Sequence, residues 1–359
     1  MWSDRDGRVA RISTPLPPRL VDWTVLGAVV VAVGSGVTSL VAGRPGDWWV
    51  FAVHGVAGFV LLVALFWKLR RVRPRVTEAS WTRTTVVSMV LTALALGAVG
   101  TGVAWTFGAN VDLALWNLLN LHVLLGLLVG PVLLVHLRSR FRWPARADFE
   151  GRRTALVYSG LAVVGVGAWA LQRAVNRLTG LAGERRFTGS RDRGRFAGNA
   201  FPVTSWMADD PDPVDAEAWE LRVVGAVAEP YAADYGTVSD YDDRLDATLD
   251  CTSGWYARSE WAGVRVGRLL EAADVADDAR YVSFRSVTGY RWALPVEEAR
   301  DALLATRVDG ERLSDGHGFP LRLVAPGRRG FQWVKWVETV EVRRDPDPGQ
   351  LAAIFLSWL

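Results

Sequence analysis

Five side chains in this 359-residue sequence could do chemistry by type and placement: the only cysteine, Cys251, and the four histidines His54, His122, His136 and His317. A lone cysteine excludes a disulfide framework and a cysteine-rich zinc site. It leaves either a small buried apolar side chain or a single soft ligand for a metal. Three of the histidines fall inside long apolar stretches, where an ionisable ring needs a partner or a ligand. His54 lies about 6 residues, roughly 9 Å, inside the second stretch, and His122 about 9 residues, roughly 13 Å, inside the fourth. Two histidines at similar depth on neighbouring helices can hold one haem iron from both sides; without a haem, the same pair is polar glue between helices. His136 follows His122 on nearly the same helix face, about 21 Å further along. Its neighbours Arg138 and Arg140 mark it as an interfacial residue.

The elements that would carry these histidines are five apolar stretches, about Val21–Ala42, Trp48–Trp67, Thr85–Phe107, Leu113–Leu137 and Thr154–Leu171. Each is long enough to cross a bilayer as a helix, which takes roughly 20 residues. The basic residues alternate between the connecting segments. Arg5, Arg8, Arg11 and Arg19 precede the first stretch. Lys68, Arg70, Arg71, Arg73, Arg75 and Arg83 lie between the second and third. Arg138, Arg140, Arg142, Arg146, Arg152 and Arg153 lie between the fourth and fifth. The two opposite connections carry only Arg44. The excess of Lys and Arg on one side predicts a cytoplasmic N-terminus and an exterior location for everything after about residue 172. Gly55 and Gly58 beside His54, and Gly126 and Gly130 after His122, permit close approach of helices or of a flat macrocycle. Eighteen tryptophans suit a chain with membrane–water boundaries. Arg152-Arg153, followed by a modestly apolar helix, resembles a twin-arginine export signal, and equally serves as positive-inside anchoring.

The second half has a different texture. Residues 1–179 hold 19 Lys and Arg against 8 Asp and Glu, and residues 180–359 hold 22 against 30. With half the residues hydrophobic and 22% charged, the chain is neither disordered nor an ordinary soluble enzyme. Short alternating runs at Arg222–Val227, Arg280–Arg285 and Trp336–Val342 predict strands, and Val266–Ala273 and Val296–Ala305 predict short helices, the latter opened by Pro295. Cys251 ends a predicted strand. The fold class is thus a five-span helical membrane domain followed by an extracytoplasmic mixed α+β domain. The expected boundaries are 1–20 for the tail, 21–175 for the membrane part (four helices plus an anchor helix), 176–186 for a connector, 187–345 for the α+β domain and 346–359 for an apolar tail.

Four blocks in residues 185–345 resemble the molybdenum domain of the sulfite oxidase family. The first is Gly198-Asn199-Ala200-Phe201-Pro202-Val203-Thr204-Ser205-Trp206. The second is Cys251-x-x-x-Trp255, then Trp261, Gly263, Leu269 and Leu270. The third is Thr288-Gly289-Tyr290 with Leu294-Pro295. The fourth is His317-Gly318-Phe319-Pro320-Leu321-Arg322-Leu323-Val324-x-Pro326-Gly327, then Gly330-Phe331-x-x-Val334-Lys335-Trp336. The resemblance implies a molybdopterin cofactor with Cys251 as the metal ligand and catalytic centre. It implies pterin contacts from Asn199, Phe201, Thr288, His317, Arg322 and Lys335. A thiolate suits high-valent molybdenum, and the pterin's phosphate asks for a forked guanidinium and a point charge.

Two departures place the chain between branches of that family. No arginine occurs in the six residues after Cys251, the first being Arg258. Sulfite oxidases proper keep one within about five, and the C-x-x-x-W spacing is similar to the bacterial periplasmic methionine sulfoxide reductase-like branch. His317 is the sulfite-oxidase type of residue. No immunoglobulin-like second domain follows, so an obligate dimer through that domain is not expected. The His-x13-His spacing of His122 and His136 resembles four-helix b-type cytochromes with two stacked haems. The first 47 residues hold no histidine, so the resemblance implies one haem b, with His54 and His122 as ligands. The expected activity is reduction of small-molecule or protein-bound S- or N-oxides outside the membrane, with electrons from a quinol or other carrier through the haem. The alternatives are a sulfite or other oxidase running inward, and a haem-free membrane protein with a non-catalytic exterior domain. The expected partners are membrane lipid and, for a loaded folded domain, the twin-arginine machinery. Nucleic acid is not among them.

Overall fold

The computed structural model describes residues 16–77, 81–113, 116–205, 209 and 211–353. Arg5, Arg8, Arg11, Trp206 and the last six residues of the apolar tail lie outside the described residues. The chain divides into two compact units, one built from residues up to Val37 and Ala52–Leu181, the other from Thr38–Phe51 and Ala182–Leu359.

The first unit is helical: α1 (Pro18–Ser39), α2 (Trp48–Thr77), α3 (Arg83–Thr106), α4 (Leu118–Arg140) and α5 (Arg152–Thr179). All five are long and apolar enough to cross a membrane. Two boundaries differ from the sequence expectation, for local reasons. Helix α4 starts at Leu118 rather than Leu113, because Asp112–Leu113 (β1) and Trp116–Asn117 (β2) pair as a short antiparallel ladder. Asn117 and Asn120 then exchange side-chain-to-backbone hydrogen bonds that cap the helix start. His122 therefore sits four residues into its helix instead of nine. Helix α5 runs to Thr179 rather than Leu171, since its polar last turns find partners. Gln172 Nε2 and Asn176 Nδ2 both donate to the Thr106 carbonyl at the end of α3, at 3.1 and 2.7 Å. Gly180, with φ +67°, ends the helix.

Polar ties gather at the basic end of the bundle. Asp22 accepts from Lys68 and Arg71, and Asp148 pairs with Arg19 at 2.8 Å. Small residues let α5 lie against α2: a Cβ at Gly165 would come within 2.4 Å of Val60, and one at Gly55 within 2.7 Å of Trp169.

The second unit holds two sheets. In the first, the long hairpin β6 (Asp243–Cys251) and β7 (Trp255–Arg265) is extended by β10 (Leu303–Val308), with β11 (Glu311–Arg312) and β12 (Arg322–Val324) on β10. Strand β3 (Arg191–Arg195) lies parallel to β7. The second sheet has the order β5 (Tyr231–Asp234), β4 (Glu220–Gly225), β13 (Val337–Arg343), β8 (Tyr281–Ser286), β9 (Arg291–Pro295), with only β13 and β4 parallel. Helices α6 (Tyr235–Ser239), α7 (Val266–Ala272), α8 (Val296–Asp301) and α9 (Gln350–Ala353) complete it. The expected helix Val296–Ala305 stops at Asp301. The apolar run Leu303–Val308 is a strand buried on both faces, a case in which periodicity cannot separate helix from strand. Its core runs from Leu221 and Val223 through Trp261, Phe284 and Leu304 to Trp333.

Candidate active site

Cys251 is the last residue of β6, and the tight turn to β7 shapes its surroundings. Gly254 takes φ +89°, open to glycine, and its N–H donates to the Cys251 carbonyl at 3.0 Å. The Ser253 N–H points at Cys251 Sγ, 3.4 Å away. The thiol is 8% exposed and belongs to the core cluster with Phe201 and Trp255.

The His317 block folds onto this turn. His317 Nε2 lies 2.9 Å from the Phe201 carbonyl, which can only accept, so Nε2 carries the proton. Nδ1 then accepts from Ser314 Oγ at 2.7 Å. Burial and the cations Arg322 and Lys335 lower the imidazole to about 4, outweighing the bond to Phe201, so the ring is neutral at ordinary pH. Phe201 packs edge-on against His317 with centroids 4.2 Å apart and also touches Trp255 and Trp261. Arg322 is buried, donates from Nη1 to the His317 carbonyl at 2.9 Å and lies over Trp261. Burial lowers its guanidinium to about 10 against the opposing pull of Cys251, and it stays charged. Gly318 takes φ +107°, open to glycine, and a Cβ there would lie a tight 3.0 Å from the Lys335 Cβ. Lys335 Nζ donates to Gly316 O and Ser205 Oγ at 2.8 and 3.2 Å.

The remaining expected residues brace this group. Asn199 uses its whole amide within the protein, donating to Glu311 and the Arg312 carbonyl and accepting from the Ser314 N–H. It thereby anchors Ser314, the partner of His317. Thr288 bonds Ser286 within the β8–β9 turn. Tyr290 of the same turn donates to the Phe331 carbonyl at 2.6 Å and so holds the loop after β12. Cys251, Phe201, His317, Arg322 and Lys335 thus form one connected site, with Asn199 one contact further out through Ser314, whereas the Thr288 hydrogen bonds found among the described residues stay within its own turn. The sequence reading passed over two buried charges there, Asp250 and Arg329. The signals for them were the acidic residue directly before the only cysteine and the Arg328-Arg329 pair enclosed by Gly327 and Gly330 in the fourth block. Arg258, the first arginine after the cysteine, faces Asp246 and the Phe196 ring instead.

The profile of the family described as "Oxidoreductase molybdopterin binding domain" matches residues 208–351. The uncharacterized oxidoreductase YuiH of Bacillus subtilis is 32% identical over 156 residues, spanning 42% of this chain and 77% of that protein. The chain belongs to the molybdopterin-binding oxidoreductases of the sulfite oxidase family. Two further relatives of this oxidoreductase are similar at lower identity. The protein-methionine-sulfoxide reductase catalytic subunit MsrP of Gluconobacter oxydans is 28% identical over 40% of this chain and 52% of its own length. The putative protein-methionine-sulfoxide reductase subunit YedZ1 of Azospira oryzae is 27% identical over 40% of this chain and 56% of its own. The chain therefore spans about half the length of these two.

The residues present fit a molybdopterin. Arg322 Nε, Arg329 Nε, Gln332 Nε2 and Trp333 Nε1 are buried donors without an acceptor among the described residues. Native interiors rarely leave such donors unpaired, and an anionic, oxygen-rich group is what they suit. One soft thiol, with Arg329 bonded to its backbone carbonyl and a second buried guanidinium, Arg322, in the same site, suits a metal that carries sulfur ligands and negative charge.

Proposed function

We propose that this molybdopterin oxidoreductase is anchored in the membrane by α1–α5 and reduces S- or N-oxides outside it, with electrons passed through one b haem. The observation that carries the oxide reading is the Cys251 turn. No arginine stands in the six residues after the cysteine, unlike sulfite oxidases proper, and its C-x-x-x-W spacing is similar to the methionine sulfoxide reductase-like branch. Cys251 would hold molybdenum, and Arg322, Lys335 and His317 would hold the pterin. Bound molybdenum supplies two-electron oxygen-atom transfer. The protein's part is to present neutral His317 as a fixed donor–acceptor bridge, to keep Arg322 charged beside the thiol, and to exclude water with Phe201, Trp255 and Trp261.

The haem reading is supported within the first unit. The His54 and His122 ring centroids are 5.8 Å apart. His54 Nδ1 lies 2.9 Å from the Ala32 carbonyl and His122 Nδ1 2.8 Å from the Ala98 carbonyl. Carbonyls only accept, so both Nδ1 atoms are protonated and both Nε2 lone pairs stay available, the arrangement metal-binding histidines use. Glycines on the neighbouring helices sit against these rings: a Cβ at Gly36 would lie 3.2 Å from His54, and one at Gly102 2.8 Å from His122. His136 bonds Ser88 Oγ on α3 through Nδ1 and pairs with no second imidazole among the described residues. The basic loops support a cytoplasmic N-terminus, and Arg152-Arg153 would then direct export of the loaded domain.

The test is a metal and visible-spectrum inventory of the detergent-solubilised chain, followed by turnover with dimethyl sulfoxide, methionine sulfoxide and sulfite. Molybdenum with a Soret band and oxide reduction is the expected result. Absence of both cofactors removes the reading. Sulfite turnover alone converts it to the second reading, an oxidase, which the sulfite-oxidase type of residue at His317 favours.

A further inference from the structure

Behind the cysteine, segments distant in sequence converge on one carboxylate. Asp250 is 1% exposed although it is next to the turn. Its Oδ1 accepts from Ser190 Oγ at 2.7 Å and faces Arg329 Nη1 at 2.9 Å. Its Oδ2 accepts from Thr188 Oγ1 at 2.8 Å and Arg186 Nη1 at 2.9 Å. Arg329, 4% exposed, also donates from Nη2 to the Cys251 carbonyl at 3.3 Å. The backbones of Asp250 and Arg329 form a parallel bridge. Gly330 makes that approach possible, since a Cβ there would lie 3.1 Å from the Cys251 Cα. A buried ion pair is a poor source of net stability, because desolvating both charges offsets most of their attraction. It is a good source of fixed geometry, and this one grips the residue before the cysteine and the cysteine's own carbonyl.

We propose that Arg329 is a positioning residue for Cys251: with Asp250 it clamps the cysteine backbone from behind and so sets the direction in which the sulfur meets the metal. The inference rests on Cys251 being the molybdenum ligand. The cation comes from a loop 78 residues further along the chain, in a sequence that has no arginine directly after the cysteine. Neither Arg329 nor Asp250 needs to touch substrate for this role.

The experiment compares full-length wild type, Arg329→Met, Arg329→Lys and Asp250→Asn in detergent, by molybdenum content, by the Mo(V) electron paramagnetic resonance spectrum and by kcat and KM with an artificial donor. The spectrum reads the orientation of the thiolate at the metal, which a purely structural loss of stability does not move. Arg329→Met is expected to keep at least half of the molybdenum, to shift or broaden the Mo(V) spectrum and to lower kcat at least tenfold with KM within twofold. Arg329→Lys moves the spectrum back toward wild type. A wild-type spectrum in Arg329→Met overturns the proposal, as does a shifted spectrum that Arg329→Lys leaves unrestored. If Arg329→Met does not accumulate, Asp250→Asn decides by the same spectrum: altered supports the clamp, unaltered overturns it. Failure of both to fold with metal also overturns it, because the pair is then a requirement of the fold. A wild-type chain without molybdenum instead sinks the cofactor reading on which the inference stands.

Discussion

Cys251 illustrates how a residue type acquires a role from its surroundings. As a sulfur on a tight turn it is an unremarkable buried side chain. With Arg322 and Arg329 near it, the same side chain suits the proposed role of ligand to an anionic, sulfur-bound metal. Cys251→Ser is expected to lower oxide reduction by about 100-fold or more, with loss of the metal–sulfur signature in the X-ray absorption spectrum, since the proposed thiolate ligand is removed. His317 makes a pH prediction with a definite sign. Its folded value, about 4, lies below the ordinary histidine value of 6.5. Between those pH values the unfolded chain binds a proton that the folded one does not, so stability is full above about 6.5 and falls as pH drops toward 4. Thermal melts of the protein from pH 7.5 to 4 are expected to show this loss. His317→Gln, which cannot titrate, flattens the slope in that window.

At the level of elements, the close contact of β7 and β10 positions both the cysteine hairpin and, through β12, the Arg322 strand. Gly263 permits it: a Cβ there would lie 2.1 Å from the Leu304 carbonyl, which is backbone and cannot move aside. Gly263→Ala is expected to cost about 1–3 kcal/mol in thermal or chemical unfolding, the usual range for overpacking. Activity then falls with cofactor retention rather than through KM. The five apolar helices were legible in the sequence because bilayer-spanning length and alternating basic loops are properties of composition. Their ends were not. Asn117 and Asn120 moved the start of α4, and Gln172 and Asn176 extended α5, through capping contacts that depend on specific partners.

For the whole molecule, the proposed electron route and the proposed export signal each carry one expectation. His54→Leu removes the b-haem spectrum and quinol-driven turnover while activity with an artificial donor to the molybdenum site stays within about twofold, because the two sites are read by separate donors. Arg152→Lys combined with Arg153→Lys leaves residues after α5 inaccessible to exterior protease in spheroplasts; normal cleavage there would assign the pair to anchoring alone.

Composition and motif determined by themselves that the chain has an apolar helical part and that a molybdopterin-type domain follows it, and they singled out Cys251, His317, Arg322 and Lys335, which the fold gathers in one place. Such features are written in residue type and short spacing, which survive without coordinates. Tertiary structure alone decided that Leu303–Val308 is a strand and that Asn199 braces Ser314. It alone decided that a buried carboxylate and an arginine from a distant loop stand behind the cysteine. The physical reason is that burial and ion pairing are set by segments meeting in space: Asp250 reads as an ordinary acidic residue until Arg186, Thr188, Ser190 and Arg329 close around it.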